Sequence, residues 1–143
     1  MRTLLITDDQ EGVLHTLGYL FGLHGYRTLL AKSGAAALEM ARTEHIDAAL
    51  IDVHMPAMDG FAVCRSLGAN ARGPGRPVPV WLMTAAFTAA LAAKATESGA
   101  RKLLKKPFDS GEFLKEIDGC LTGALPYPAS PPSSPPCEST NAA

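Results

Sequence analysis

The sequence has few cysteines, little excess charge and no long apolar run, and each shortage excludes a class of protein. Three cysteines in 143 residues, Cys64, Cys120 and Cys137, are too few and too scattered for a disulfide framework or a zinc cluster, so we expect reduced thiols. The net charge of −1 gives no electrostatic reason to expect binding to nucleic acid or to an acidic membrane. No apolar stretch approaches the roughly 20 residues that span a bilayer, and the N-terminal stretch is too short for a secretory signal. We therefore expect a cytoplasmic protein.

The composition divides the chain near Gly123. The whole sequence is 47% hydrophobic and 19% charged, which is typical of a globular domain with a core. From Gly123 to the end, six of 21 residues are proline, with serine and alanine between them and a single charge at Glu138. Such a segment has little to bury. We expect one domain over residues 1–122, followed by a disordered tail or linker over 123–143.

Short apolar runs alternate with longer segments whose apolar residues recur at helical spacing. The predicted strands cover residues 4–6, 28–31, 48–51, 78–83 and 103–104. The predicted helices cover residues 11–23, 34–42, a segment after Gly60, 88–98 and 110–121. This alternation predicts an α/β fold, a doubly wound, five-stranded parallel sheet with five helices in the flavodoxin-like order 2-1-3-4-5.

Polar residues stand at the ends of the predicted strands. Asp8 and Asp9, Asp52, Thr84 and Lys106 each lie at a C-terminal strand end. Those ends meet at one edge of a parallel sheet, where ligands bind at the topological switch point. We therefore expect these five side chains, far apart in the chain, to share one pocket.

The chemistry of such a pocket favours phosphoryl transfer. Two carboxylates 4 Å apart repel by roughly 4 kcal/mol at an effective dielectric constant of 20, so three of them recruit protons or a cation. Oxygen ligands select a hard ion, and Mg²⁺ leaves room for waters and phosphate. Asp52 lies in the middle of the sheet and is the natural nucleophile. Lys106 and Thr84 can donate to the phosphoryl oxygens.

At this point the sequence resembles the receiver domains of bacterial two-component response regulators, in particular the single-domain regulators of the chemotaxis type. The resemblance covers residues 3–121. Its most specific part is LIDVHMPAMDG at residues 50–60, which is similar to the family's phosphorylation-site segment. Later landmarks follow in order at residues 84–86, 99–100 and 105–108.

The resemblance implies a role for each residue of the acidic pocket. Asp52 would be the phosphoacceptor and a metal ligand. Asp8 and Asp9 would complete the acidic Mg²⁺ site, together with the backbone carbonyl of His54. In this family the residue two positions after the acceptor also influences hydrolysis, although a solvent-facing His54 without that role is equally compatible with the sequence.

The resemblance also implies a switch. Thr84 would move toward the phosphoryl group, and Lys106, rather than Lys105, would pair with it because it directly precedes Pro107. The Lys106–Pro107 bond is expected to be cis. The family usually has an aromatic residue three positions before this lysine, and here that position is Leu103, which cannot supply an aromatic rotamer readout.

The implied function is phosphorelay signalling rather than conventional enzyme catalysis. The phosphoryl donor would be a sensor histidine kinase or a phosphotransfer protein, and the downstream protein target is not named by the sequence. The surface of the fourth helix, fifth strand and fifth helix would change on phosphorylation and contact partners, among them a second copy of the chain.

Two other functions compete with this interpretation. A phosphatase of the haloacid-dehalogenase type also forms an aspartyl phosphate, but it needs a second acid two residues after the nucleophile, where this chain has His54. A receiver-fold module that binds proteins without phosphorylation is favoured by Leu103 and opposed by the full acidic pocket. Residues 68–77 are expected to form a long surface loop.

Overall fold

The computed structural model describes residues 2–69 and 78–122, which follow the predicted alternation of strands and helices. The strands are β1 (Thr3–Thr7), β2 (Arg27–Ala31), β3 (Ala48–Asp52), β4 (Val80–Thr84) and β5 (Lys102–Lys105). The helices are α1 (Glu11–Leu23), α2 (Gly34–Thr43), α3 (Gly60–Ala69), α4 (Ala89–Glu97) and α5 (Ser110–Thr122). The sheet and α1–α4 belong to one compact unit, Met1–Phe108, and α5 belongs to a second, Asp109–Ala143.

The five strands form one parallel sheet in the order β2-β1-β3-β4-β5. The chain runs from β1 outward to β2 and then returns past β1 to β3, so the direction of winding reverses between β1 and β3. This reversal opens a crevice at the carboxyl ends of those two strands. The predicted α/β, doubly wound fold is therefore confirmed, including the strand order.

The three central strands are buried along their whole length. Every residue of β1, β3 and β4 is buried, whereas the edge strands β2 and β5 are partly exposed. Burial of successive residues, which point to opposite faces, explains why these strands are continuous apolar runs rather than alternating ones. The strand ends that carry Asp8, Asp52 and Thr84 therefore belong to the buried centre of the sheet, whereas Lys106 follows the edge strand β5.

Local sequence signals account for several helix boundaries. Gly25 follows α1 with a φ of 90°, a conformation that glycine adopts without steric cost. The Ser33 hydroxyl accepts a hydrogen bond from the backbone N–H of Ala36 at 3.1 Å and caps α2. In the second unit, the Asp109 carboxylate accepts a hydrogen bond from the backbone N–H of Glu112 at 3.0 Å and caps α5.

Two predicted boundaries need correction. Helix α3 continues through Ala69, so the surface loop predicted for residues 68–77 does not begin at Gly68. The helix is longer because Leu67 still faces the core and is buried, which favours one more turn. Strand β4 begins at Val80, and Pro79 with its missing N–H therefore precedes the strand. Residues 70–77 and the predicted tail lie outside the described residues.

One apolar cluster lies on a single face of the sheet. It joins buried residues of β1, β3, β4 and β5 to those of α2, α3 and α4.

Cys64 lies within this apolar cluster, where burial raises the pKa of the thiol to about 12 and the Sγ–H donates to the carbonyl of Ser98 at 3.3 Å. Cys64 and Cys120 are thiols rather than halves of a disulfide, and Cys137 lies outside the described residues. Within the ranges 2–69 and 78–122, no helix combines the length and apolar character needed to cross a bilayer.

Candidate functional site

The predicted site residues stand at neighbouring strand ends. Asp8 directly follows β1, Asp52 ends β3, Thr84 ends β4 and Lys106 directly follows β5. Asp52 pairs in register with Met83, so Thr84 lies one residue further along the adjacent strand. Asp8 and Thr84 are fully buried and Asp52 is nearly so, whereas Asp9 is exposed. Parallel pairing thus brings these residues to one edge of the sheet.

Three carboxylates meet at this edge. One oxygen each from Asp8, Asp9 and Asp52 lies within 4.8 Å of the others. The loop after β1 is held in place because the backbone N–H of Gln10 donates to Asp8 Oδ1 at 2.9 Å. Among the residues that the structure describes, this is the one group of three or more acidic, histidine or cysteine side chains close enough to share an ion.

Lys106 supplies the positive charge of the pocket. Its Nζ lies 2.7 Å from Asp8 Oδ2 and 3.6 Å from Asp52 Oδ2. The side chain is only 19% exposed, so its long stem is packed and its head group is directed into the pocket. Its backbone N–H donates to the Thr84 carbonyl at 2.8 Å, and the following Lys106–Pro107 bond is cis. Lysine and threonine are thereby held together at the ends of β4 and β5.

The ionised form of Asp52 is disfavoured in the folded protein. Burial raises the pKa of the Asp52 carboxyl above its ordinary value, and the neighbouring carboxylates of Asp8 and Asp9 add to the rise. The Lys106 ammonium and a hydrogen bond from the His54 backbone act in the opposite direction but do not cancel it. A buried carboxylate with this excess of negative charge around it has a reason to bind a cation.

The hydroxyl of Thr84 lies within hydrogen-bond distance of two groups among the described residues. The backbone N–H of Ala86 lies 3.1 Å from Thr84 Oγ1, and Nε2 of His54 lies at the same distance from that oxygen. The His54 backbone N–H lies 3.4 Å from Asp52 Oδ1. His54 therefore contacts the proposed acceptor through its backbone and Thr84 through its ring.

The loop between β3 and α3 is closely packed behind Asp52. A Cβ on Gly60 would collide with the carbonyl oxygen of Asp52 and lie 2.9 Å from Cα of Val53. The backbone N–H of Gly60 donates to the carbonyl of Val53 at 2.9 Å. Ala57 adopts a φ of 71°, a conformation that is strained for residues other than glycine. The absence of a side chain at position 60 thus lets the loop fold back against the acceptor strand.

The residues present fit a hard divalent cation. The cluster offers only carboxylate oxygens, with no thiolate or imidazole in the group. Such a donor set favours Mg²⁺ or Ca²⁺ over zinc or copper. The acidic triad is thus able to bind a metal ion, and the part predicted for the backbone carbonyl of His54 stays a prediction.

Comparison with known proteins identifies the family. Residues 4–118 match the family model of the response regulator receiver domain. The chain belongs to this family. It is accordingly a receiver domain of phosphorelay signal transduction and a signalling module rather than a conventional enzyme. The haloacid-dehalogenase alternative is excluded by this membership.

Curated relatives and solved structures agree with the assignment. Response regulator MprA of Mycobacterium tuberculosis is 33% identical over 126 residues, covering 88% of this chain and 53% of MprA, so the chain spans about half the length of that relative. The receiver domain of Francisella response regulator 1452 superposes with a TM-score of 0.76 at 23% identity, covering 87% of this chain and all of that one. Chemotaxis protein CheY4 of Vibrio cholerae gives 0.75 at 24% identity, covering 82% and 97% of the two chains. These two structures support the fold.

Leu103 stands at the position where the family resemblance predicts an aromatic switch residue. It pairs with Leu82 in the sheet and is buried in the apolar cluster. Sequence reasoning assigned no contact to the ring of His54 and no packing role to Gly60. The glycine directly after the DxxxxxxD spacing of residues 52–59 was a usable signal, because a glycine that opens a helix beside a buried strand often marks close backbone approach. The His54 ring gave no comparable signal.

Proposed function

We propose that this receiver domain accepts a phosphoryl group on Asp52 from the phosphohistidine of a sensor histidine kinase or a phosphotransfer protein. One observation carries the proposal: the Lys106 ammonium lies 2.7 Å and 3.6 Å from two carboxylates of a three-carboxylate pocket. An anion-binding lysine beside a buried acid and a cation site are the parts that phosphoryl transfer requires.

In the proposed reaction an oxygen of Asp52 attacks phosphorus and the phosphorus–nitrogen bond to the donor imidazole breaks. The imidazole leaves with the electron pair of that bond, and Asp52 becomes an acyl phosphate. Lys106 and the Thr84 hydroxyl donate to phosphoryl oxygens, which offsets the added charge.

Asp8, Asp9 and Asp52 would hold Mg²⁺, with the backbone carbonyl of His54 as a further ligand. When bound, the ion supplies positive charge that offsets the carboxylate repulsion and favours the incoming phosphoryl oxygens. Asp9 is the exposed member of the group, which leaves one side of the pocket open to water and to the donor.

The proposed output is a protein contact rather than catalysis. Movement of Thr84 would alter the segment that leads into α4, whose Ala89, Ala90 and Ala93 are exposed. The surface that includes α4 and β5 would then bind a downstream protein or a second copy of the chain. Binding to nucleic acid or to membrane is not part of the proposal, and we place the protein in the cytoplasm. We take residues 1–122 as the receiver unit and 123–143 as a tail or linker, on composition.

A receiver-fold module that signals without phosphate is the alternative, and Leu103 is the observation in its favour. With leucine buried in the apolar cluster, the usual aromatic readout is missing. The two functions differ in a simple experiment, because only a phosphoacceptor binds beryllofluoride in the presence of Mg²⁺.

Incubation with acetyl phosphate and Mg²⁺ tests the proposal. We expect one phosphoryl group per chain by intact mass. No labelling is expected when a chelator removes Mg²⁺ before acetyl phosphate is added, and none in Asp52→Asn. Asp59→Asn is the matched control, since Asp59 is exposed in the same loop and caps α3 through the Ala62 N–H, a bond that asparagine can also accept. Labelling of Asp52→Asn at the wild-type level would show that the acceptor is another residue.

A further inference from the structure

The ring of His54 forms a hydrogen bond with the hydroxyl of Thr84. Nε2 of His54 lies 3.1 Å from Thr84 Oγ1, although the two residues are separated by 30 positions and belong to different strand ends. His54 as a residue is exposed, whereas Thr84 is fully buried. His54 thus reaches from the loop after β3 across to the end of β4.

The chemistry of a hydroxyl makes this contact consequential. A threonine hydroxyl has one proton to donate and accepts at its lone pairs. Ala86 N–H already donates to this oxygen at 3.1 Å. When the ring nitrogen is the acceptor, the single hydroxyl proton of Thr84 is donated to His54. When the ring nitrogen carries the proton, it donates to the hydroxyl oxygen of Thr84. In either tautomer, Thr84 must lose this bond in order to move away from His54.

We propose that His54 is a positioning residue that holds Thr84 in the unphosphorylated state, and that Thr84 exchanges the His54 ring for a phosphoryl oxygen when Asp52 is modified. The inference rests on the proposed function of Asp52 and Thr84. His54 contacts Asp52 through its backbone, so the residue that restrains Thr84 is attached to the strand end that receives the phosphoryl group.

The proposal predicts the direction of an affinity change. A hydrogen bond present in the free state and absent in the phosphate-bound state opposes binding. Its removal should tighten binding by about fivefold, which is the equivalent of about 1 kcal/mol, the usual net value of one hydrogen bond.

The test measures the dissociation constant of beryllofluoride by calorimetry on the full chain saturated with Mg²⁺. His54→Ala should bind about fivefold more tightly than wild type. His54→Gln, whose amide can reach the position of Nε2, should restore an affinity near that of wild type. His15→Ala, an exposed histidine on α1, is the control and should leave the affinity unchanged.

The Thr84→Val variant tests whether His54 changes the beryllofluoride affinity through its hydrogen bond to the Thr84 hydroxyl or by another route. In a Thr84→Val background, His54→Ala should change the affinity by less than twofold, because the partner hydroxyl is gone. A similar gain in both backgrounds would overturn the proposal, as would unchanged or weaker binding of His54→Ala in the wild-type background. Failure of wild-type protein to bind beryllofluoride would instead overturn the proposed function of the pocket.

Discussion

The ammonium group of Lys106 forms its shorter ion pair with Asp8, at 2.7 Å, and lies 3.6 Å from Asp52, the proposed acceptor. In the free pocket the lysine therefore offsets part of the repulsion among the carboxylates from the side of β1. It occupies an oxygen of Asp8 that a cation would otherwise bind. The lysine and a bound metal compete for the same negative charge.

Lys106→Met should bind Mg²⁺ more tightly than wild type and bind beryllofluoride more weakly. Removal of one positive charge near a divalent site favours the cation by about 1–2 kcal/mol, or roughly tenfold in the Mg²⁺ dissociation constant. The phosphoryl analogue loses a donor at the same time. Lys105→Met is the matched control, because Lys105 is the exposed neighbour in β5. Weaker Mg²⁺ binding by Lys106→Met would contradict the competition.

Asp52→Asn should stabilise the metal-free protein at pH 7. Because burial raises the pKa of Asp52, ionisation of this group destabilises the folded state, and its contribution to stability is lost as the pH rises through the folded pKa. Asparagine removes that loss, so the free energy of unfolding should rise by on the order of 1 kcal/mol, the scale of like-charge repulsion in a partly solvated pocket.

Thermal unfolding in a chelator at several pH values measures the effect. The difference between Asp52→Asn and wild type should shrink as the pH falls toward the pKa of an aspartate in the unfolded chain, because wild-type Asp52 is then protonated as well. A variant less stable than wild type at pH 7 would show that the pairing with Lys106 outweighs burial.

Gly60→Ala should destabilise the protein by about 3 kcal/mol and weaken binding of beryllofluoride. The added methyl group would collide with the backbone of Asp52, which cannot shift without moving the acceptor. Gly22→Ala is the matched control, since no atom lies within 4 Å of a Cβ at that helical position. There the substitution should be neutral or stabilising by about 0.5–1 kcal/mol. Chemical denaturation measures both, and equal effects at the two glycines would refute the packing role.

Thr7→Val should raise the free energy of unfolding by about 1 kcal/mol. Thr7 is fully buried next to Asp8, and its hydroxyl has no hydrogen-bond partner among the residues described. Valine has nearly the same shape and removes the cost of burying that hydroxyl. Denaturation with urea checks the gain, and the Mg²⁺ affinity should be unchanged. A loss of stability would mean that the Thr7 hydroxyl has a polar partner.

The fold was largely predictable because its signals are local. Apolar runs that end in Asp52 or Thr84 predict buried parallel strands. Because the carboxyl ends of parallel strands lie at one edge of the sheet, residues distant in sequence are then predicted to lie together. The end of α3 was placed too early because glycine at position 68 was taken as a loop signal, although burial of Leu67 extends the helix.

The site was predictable in its members but not in its pairings. The sequence predicts that Lys106 shares a pocket with the carboxylates, yet its closer approach to Asp8 than to Asp52 depends on distances that no sequence pattern contains. The contact between His54 and Thr84 depends on a side-chain rotamer across two strand ends. A family resemblance implies the role of each site residue, but it does not indicate which hydrogen bonds form between the site residues.

The most direct test is to locate the phosphoryl group in the chain. Protein treated with acetyl phosphate and Mg²⁺ is reduced with borohydride, which converts an aspartyl phosphate to homoserine, and the peptides are read by mass spectrometry. The account predicts homoserine at position 52 alone. Reduction at Asp8 or Asp9, or a phosphoryl group found on a hydroxyl or imidazole side chain, would contradict it.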